Sequence, residues 1–129
     1  MKKLIYTVIA LMTLTSCQES LEDRSDREAK RYTKKNCPAK IGENTTIDSL
    51  VFERATHTMH YYYTLSGKAD NPAIKDNADI SNMLLEQVKN ATTTRIYKEA
   101  GYNFTYTYHS AKNKGEVLFE RTFTKKDYK

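Results

Sequence analysis

Tryptophan is absent from this 129-residue chain, and glycine (four), proline (two) and cysteine (two) are scarce. So little Gly and Pro excludes collagen-like or linker-dominated sequence. It also leaves no material for a Gly-rich phosphate loop. Two Cys without a C-x-x-C spacing exclude a disulfide-dense scaffold and a thioredoxin-like redox site. No apolar run reaches the ~20 residues that a membrane-spanning helix needs. Charge of one sign is also lacking in excess: 21 Lys+Arg stand against 16 Asp+Glu. What the chain does have is ten Tyr and four Phe. Each can bury a large apolar area, so the sequence supports a core despite a mean hydropathy of -0.75. The length allows one domain and excludes a multidomain enzyme.

Met1 to Cys17 reads MKKLIYTVIALMTLTSC. Lys2 and Lys3 give a positive start, and Leu4 to Leu14 is an apolar stretch of eleven residues. That is the pattern of a secretory signal peptide. Its end, Leu14-Thr15-Ser16-Cys17, resembles the bacterial lipobox. The resemblance implies residues 1–16 as a signal peptide, a diacylglyceryl thioether on the Cys17 sulfur, cleavage before Cys17 and acylation of the new amino group. Two or three acyl chains, palmitate among them, anchor stably, because each buried CH₂ adds about 0.8 kcal/mol. Gln18 stands where an Asp resembles an inner-membrane retention signal, so the expected location is the cell envelope, lipid-anchored at the outer membrane. The processed chain keeps 19 basic and 16 acidic side chains, too weak a bias to argue for nucleic acid.

Residues 17–36 read as the lipidated Cys and a charged tether. Eleven of the 19 residues from Gln18 to Asn36 are charged, and only Leu21 and Tyr32 are sizeable and apolar. By composition such a stretch does not offset its ordering entropy. The i,i+4 pairs Asp23–Arg27 and Asp26–Lys30 leave a frayed helix open. The acidic residues after Cys17 also resemble the export signal of some surface-exposed bacterial lipoproteins.

Residues 37–129 read as a small α+β domain. Ile47 to Arg54 is a first strand, and His57 to Ser66 a second with period-two alternation. Gly67 to Asp79 is loop. Asp79 is an N-cap candidate, followed by Ile80, Met83, Leu84, Val88 and Ala91 at helical spacing. Arg95 to Ala100 extends it or forms a short second helix, which Gly101 stops. Tyr102 to Ser110 alternates cleanly, AKNKG (111–115) is a hairpin loop, and Glu116 to Thr124 returns with Val117, Phe119 and Phe123 inward. Arg121 falls on the inward parity, which places it near a sheet end or a bulge. The expected architecture is two-layer β-β-α-β-β, an antiparallel sheet with a helix packed on one face.

Catalytic groups are hard to assemble. His57 and His60 point to opposite faces of a strand and cannot share an ion. Cys37, the one thiol left beside acylated Cys17, has no evident base. Asp70, Asp76 and Asp79 fit turn and cap chemistry, and Glu116 and Glu120 flank a strand. The expectation is therefore no catalytic residue, no metal and no cofactor. Tyr62 shares its outward parity with His60 and Thr64. With Thr105, Thr107 and His109 they form the candidate binding face, since Tyr buries area at low rotamer cost.

Cys37-Pro38, Thr45 to Phe52, His60 to Leu65, Gly101 to Tyr108 and Phe119 to Tyr128 resemble the mature domains of small Gram-negative lipoproteins of uncharacterised role. That likeness implies a fold and brings no chemistry. The functional expectation is a non-enzymatic, membrane-anchored module for a protein or glycan partner. The alternatives are an inhibitor or immunity-type protein against an envelope enzyme, and a small hydrolase.

Overall fold

The computed structural model describes residues 19–129. Helix α1 (Leu21–Asn36) opens it. Strands β1 (Ala39–Gly42), β2 (Thr45–Glu53) and β3 (Thr58–Leu65) follow. A polar connection then leads to α2 (Ala78–Asn90) and α3 (Arg95–Glu99). Strands β4 (Asn103–Ser110) and β5 (Val117–Phe123) and a final turn, α4 (Lys125–Tyr128), complete the chain. The strands form one five-stranded sheet in the order β1-β2-β3-β4-β5. The fold class is α+β, with helices on one face of the sheet.

Three features depart from the sequence expectation. The first is strand direction. β3 and β4 pair in parallel, from Thr58 opposite Asn103 to Leu65 opposite Ser110, so the sheet is mixed rather than antiparallel. The cause is the helical crossover between them. A strand, a helix returning along the sheet and a second strand place both strands in the same direction.

The second is the charged segment, which is a helix docked on the domain and not a solvated tether. Ser20 caps it, its Oγ accepting from the Asp23 amide at 3.1 Å. Glu22 and Asp23 lie in the first turn and Lys34 and Lys35 in the last, matching the helix dipole. Lys30 pairs with Asp26 at 2.8 Å, as expected. Asp23 instead takes Arg54 at 2.8 Å, and Arg27 takes Glu19. The buried stripe consists of small residues: Ser25 and Ala29 are fully covered, which lets the helix lie close over β2. The Thr33 hydroxyl both donates to the Leu50 carbonyl (2.8 Å) and accepts from its amide (2.9 Å).

The third is local. β1 is a strand absent from the sequence reading. At β5 the register shifts between Tyr108 and His109. Val117 is therefore exposed, not inward, and the bulged residue Leu118 beside it is buried. Arg121 sits opposite Tyr106 with its guanidinium 5.4 Å from the Phe123 ring, clear of that bulge. The helix cap is Asn77, whose Oδ1 accepts from the Asp79 and Ile80 amides, rather than Asp79.

The core lies between the sheet and its helices. Met59, Tyr63, Phe104, Tyr106, Phe119 and Phe123 rise from the strands to meet Ala29, Leu84, Val88 and Tyr97. Tyr102, just ahead of β4, joins several elements. Its ring stacks on Phe52, His57 and Tyr97 at 5.4 Å each, and its hydroxyl bonds Ser25 at 3.2 Å. None of the described helices is long and apolar enough to cross a membrane. Cys17 and the signal segment lie outside the described residues.

Candidate functional site

The period-two alternation of β3 and β4 places His60, Tyr62, Thr64, Thr105, Thr107 and His109 together on the sheet face away from the helices. β2 and β5 flank them with Glu53 and Glu120. Much of this face satisfies itself. The Thr107 hydroxyl donates to Glu120 Oε2 at 2.6 Å and contacts His60 Nε2 at 2.7 Å. His60 Nδ1 lies 3.1 Å from the Tyr62 hydroxyl and 3.4 Å from Glu53 Oε2. Thr105 bonds Thr122 at 2.8 Å, and Thr64 donates to Asp48 at 2.6 Å. Tyr62 stacks on His60 (4.0 Å between centroids) and beside His109 (6.3 Å). Burial and the nearby Glu53 and Glu120 charges push the Tyr62 phenol up. The two histidines meet through Tyr62.

Thr107, His60 and Glu53 stand in the order of a hydroxyl, imidazole and carboxylate triad. The proton directions oppose that use. The Thr107 proton goes to Glu120, so the threonine oxygen accepts from His60 Nε2–H instead of yielding a proton to it. Thr107 is also 2% exposed, beyond reach of a substrate carbonyl. His57 stands apart, in a left-handed turn (φ 51°) with its Nε2 3.3 Å from Glu22. Among the described residues no three His, Cys, Asp or Glu side chains converge on a metal position. Cys37 is a half-buried free thiol, and burial pushes its pKa up, with the Asp48 charge adding to the effect. A raised thiol is protonated at neutral pH and is a poor nucleophile. Asp70 has a structural post, accepting from the Ser110 hydroxyl (2.6 Å) and the Lys112 amide (2.9 Å). Those bonds hold its carboxyl below the usual range.

The feature that sequence reasoning missed is on the other face. At the end of the sheet where β2 begins and β3 and β4 finish, an open cleft of about 320 Å³ lies beside α2. Tyr63, Leu65, Tyr108 and Phe119 form its floor, and Ile74 and Ile80 part of its wall. Ile41 and Met83 flank it, 58% and 52% exposed. Tyr63 and Tyr108 stack at 4.5 Å, so the floor is flat and rigid. Burial raises both phenols, Tyr108 to about 12, so the floor stays uncharged into the alkaline range. Their hydroxyls have no protein partner among the described hydrogen bonds. The residues come from β1, β2, β3, the polar connection, α2, β4 and β5. Met83, which the helical spacing groups with buried Leu84 and Val88, stands instead at the rim of the cleft.

No curated protein matches the chain. Three solved structures share its fold. A Pseudomonas aeruginosa protein described as secreted has 16% identity and a TM-score of 0.67, covering 87% of this chain and 100% of its own. The pilotin EpsS of the Vibrio vulnificus type 2 secretion system has 10% identity and a TM-score of 0.65, covering 84% and 92%. The pilotin AspS of the Vibrio cholerae type II system has 14% identity and a TM-score of 0.61, covering 83% and 91%. Residues 20–119 match the model of a domain of unknown function, DUF8479. That match begins at the cap of α1 and takes in the whole helix, and the chain belongs to this family.

Proposed function

We propose that this protein is a lipid-anchored component of the bacterial envelope, held at the outer membrane through Cys17, whose domain grips a partner protein in the apolar cleft. The observation that carries the reading is the exposure of Ile41 and Met83 on either side of that cleft. Large apolar side chains left in water beside an aromatic floor mark an interaction site. A volume of about 320 Å³ is at the small end of the roughly 300–1,000 Å³ range of small-molecule pockets. An open cleft of that size suits a few apolar side chains from one face of a partner segment. Two of the proteins that share the fold are secretion-system pilotins, and the third is described as secreted, which supports an exported, non-enzymatic role.

The flat outer face is a second docking surface, for a protein or a glycan. The stacked His60–Tyr62–His109 aromatics favour it. Its other polar groups are engaged with one another, so it offers less to a partner.

The test uses the full chain in its native envelope, with a photo-crosslinking residue at Met83 or at Tyr62. The expected result is one adduct from position 83 in the membrane fraction, lost when Ile41→Glu is added. An adduct from position 62 that survives Ile41→Glu, with none from position 83, overturns the cleft assignment. Cys17→Ala removes lipid labelling; labelling that persists refutes the anchor.

A further inference from the structure

The two ends of the sheet differ in charge. The cleft lies at the end where β3 finishes. At the opposite end, where β4 begins and β5 finishes, Lys89, Arg95, Lys98, Lys125 and Lys129 line a shallow hollow of about 280 Å³, with Glu99 the one acidic side chain in that lining. Arg95 pairs with Glu99 at 3.2 Å. Lys98 is committed to the backbone, its Nζ donating to the Val88, Lys89 and Ala91 carbonyls. Lys89, Lys125 and Lys129 are exposed and make no ion pair among the described residues.

This hollow and the start of α1 share a framework. The Tyr128 hydroxyl donates to the carbonyls of Lys98 (3.3 Å) and Tyr102 (2.8 Å), and the Tyr102 hydroxyl bonds Ser25 in the second turn of α1. Cys17 precedes the Ser20 cap by three residues, which span at most roughly 3.5 Å each. Acidic groups crowd the start of α1; Glu19 and Asp23 pair with Arg27 and Arg54, and Glu22 Oε1 lies 3.3 Å from His57 Nε2.

We propose that the lysines of this hollow lie against the phosphate headgroups of an anionic lipid surface, the same surface that the Cys17 acyl chains enter. The inference rests on the anchored reading above and adds an orientation to it. The acyl chains confine the α1 end to the bilayer, and lysines held there meet headgroup phosphates at high local concentration. The chain then stands on the membrane with the cleft pointing away. Seven residue steps of β3 at ~3.3 Å separate the two ends by about 23 Å.

The test takes the full chain, purified with its lipid, in vesicles of zwitterionic lipid alone or with a third of anionic phospholipid. Flotation reads the anchor. Lysine acetylation, mapped by mass spectrometry, reads the hollow. Lys125 and Lys129 are expected to react about fivefold more slowly on anionic vesicles, the effect of one lysine near such a surface. The protection disappears at high salt, while Lys112 and Lys114, at the far end, react alike on both vesicles. A double variant, Lys125→Gln with Lys129→Gln, should also unmask Lys89. Equal reaction of Lys125 and Lys129 on both vesicles, with the chain afloat, overturns the proposal and leaves the anchor standing. Equal protection by inorganic phosphate without vesicles overturns it in favour of a soluble anion. A chain that floats with neither vesicle refutes the anchor and the orientation with it.

Discussion

Tyr97→Phe tests whether the charged helix α1 is part of the folded unit. Tyr97 is 4% exposed, and its hydroxyl donates to Glu28 Oε2 at 2.5 Å, joining α3 to α1. The substitution keeps the ring, and so the Tyr102 stack at 5.4 Å. It removes the donor alone. Hydrogen bonds to a charged group contribute about 1.5–3 kcal/mol. The Glu28 side chain is 33% exposed and keeps Arg24 at 3.1 Å. Water and that guanidinium then take over part of the lost bond, so the cost falls to about 1–2 kcal/mol. For a domain of this size that lowers Tm by about 4–8 °C per kcal/mol.

The pH dependence has a definite sign. The Tyr97 bond is the first cause that holds the Glu28 carboxyl below its usual range. A carboxyl that titrates lower in the folded chain contributes its full stability above the unfolded value, about 4.3, and loses it as pH falls through the folded one. Burial first, and Glu28 second, push the Tyr97 phenol up. Its contribution is whole below about 10 and is lost only as pH rises beyond that. The gap between wild type and Tyr97→Phe is therefore widest near neutrality and narrows in acid. Urea unfolding across pH 2–8, with Glu28→Gln closing a double-mutant cycle, measures it. A coupling below about 0.5 kcal/mol and a gap that ignores pH would falsify the docking of α1.

Three further outcomes check other parts of the structure. Phe104→Ala empties a 1%-exposed position between β4 and Tyr128 and should cost about 3–5 kcal/mol in denaturant unfolding; under 2 would mean that the core is looser than described. Gly67→Ala meets φ +55° and puts a Cβ 2.7 Å from Asn44 Oδ1. It should destabilise by about 1–2 kcal/mol, part of it recovered with Asn44→Ala, and a neutral Gly67→Ala refutes that turn. Tyr62→Ala removes the stacks on His60 and His109 on the outer face and should cost only about 1–3 kcal/mol by thermal melt; gross unfolding would reverse the assigned strand faces.

What the sequence conveyed followed the strength of its periods. In β3 and β4 the alternation of Tyr with Thr and His is nearly unbroken, and each residue fell on its expected face. Ile80, Leu84 and Val88 likewise identified α2. The parallel pairing of β3 and β4 was legible in principle, because 37 residues with a helix separate them and a crossover of that kind returns the chain parallel. The helix α1 was hidden because its buried stripe is Leu21, Ser25, Ala29 and Thr33. Spaced by four, three of those residues are small or polar, so they carry almost no hydropathy signal. The Ser20 cap and the acidic-to-basic order were the available signs. The cleft was not legible, because seven segments build it and none alone looks like a site.

The two sheet faces divide the chemistry between them, and the reason lies in side-chain size. On the outer face Thr105 and Thr107 are short and flanked by longer neighbours, so they are 6% and 2% exposed with no helix over them. A partner arriving there must displace existing bonds, such as Thr107 to Glu120 and Thr64 to Asp48, before it gains any. Exchange of one satisfied hydrogen bond for another yields little net free energy. The cleft asks for no such exchange. Its floor is aromatic, its flanking Ile41 and Met83 are already in water, and covering them returns apolar area at about 25 cal/mol per Å². Recognition by this domain is therefore expected to be driven by apolar burial at the end of the sheet far from α1, with weak salt dependence, while salt acts on the lysines at the opposite end.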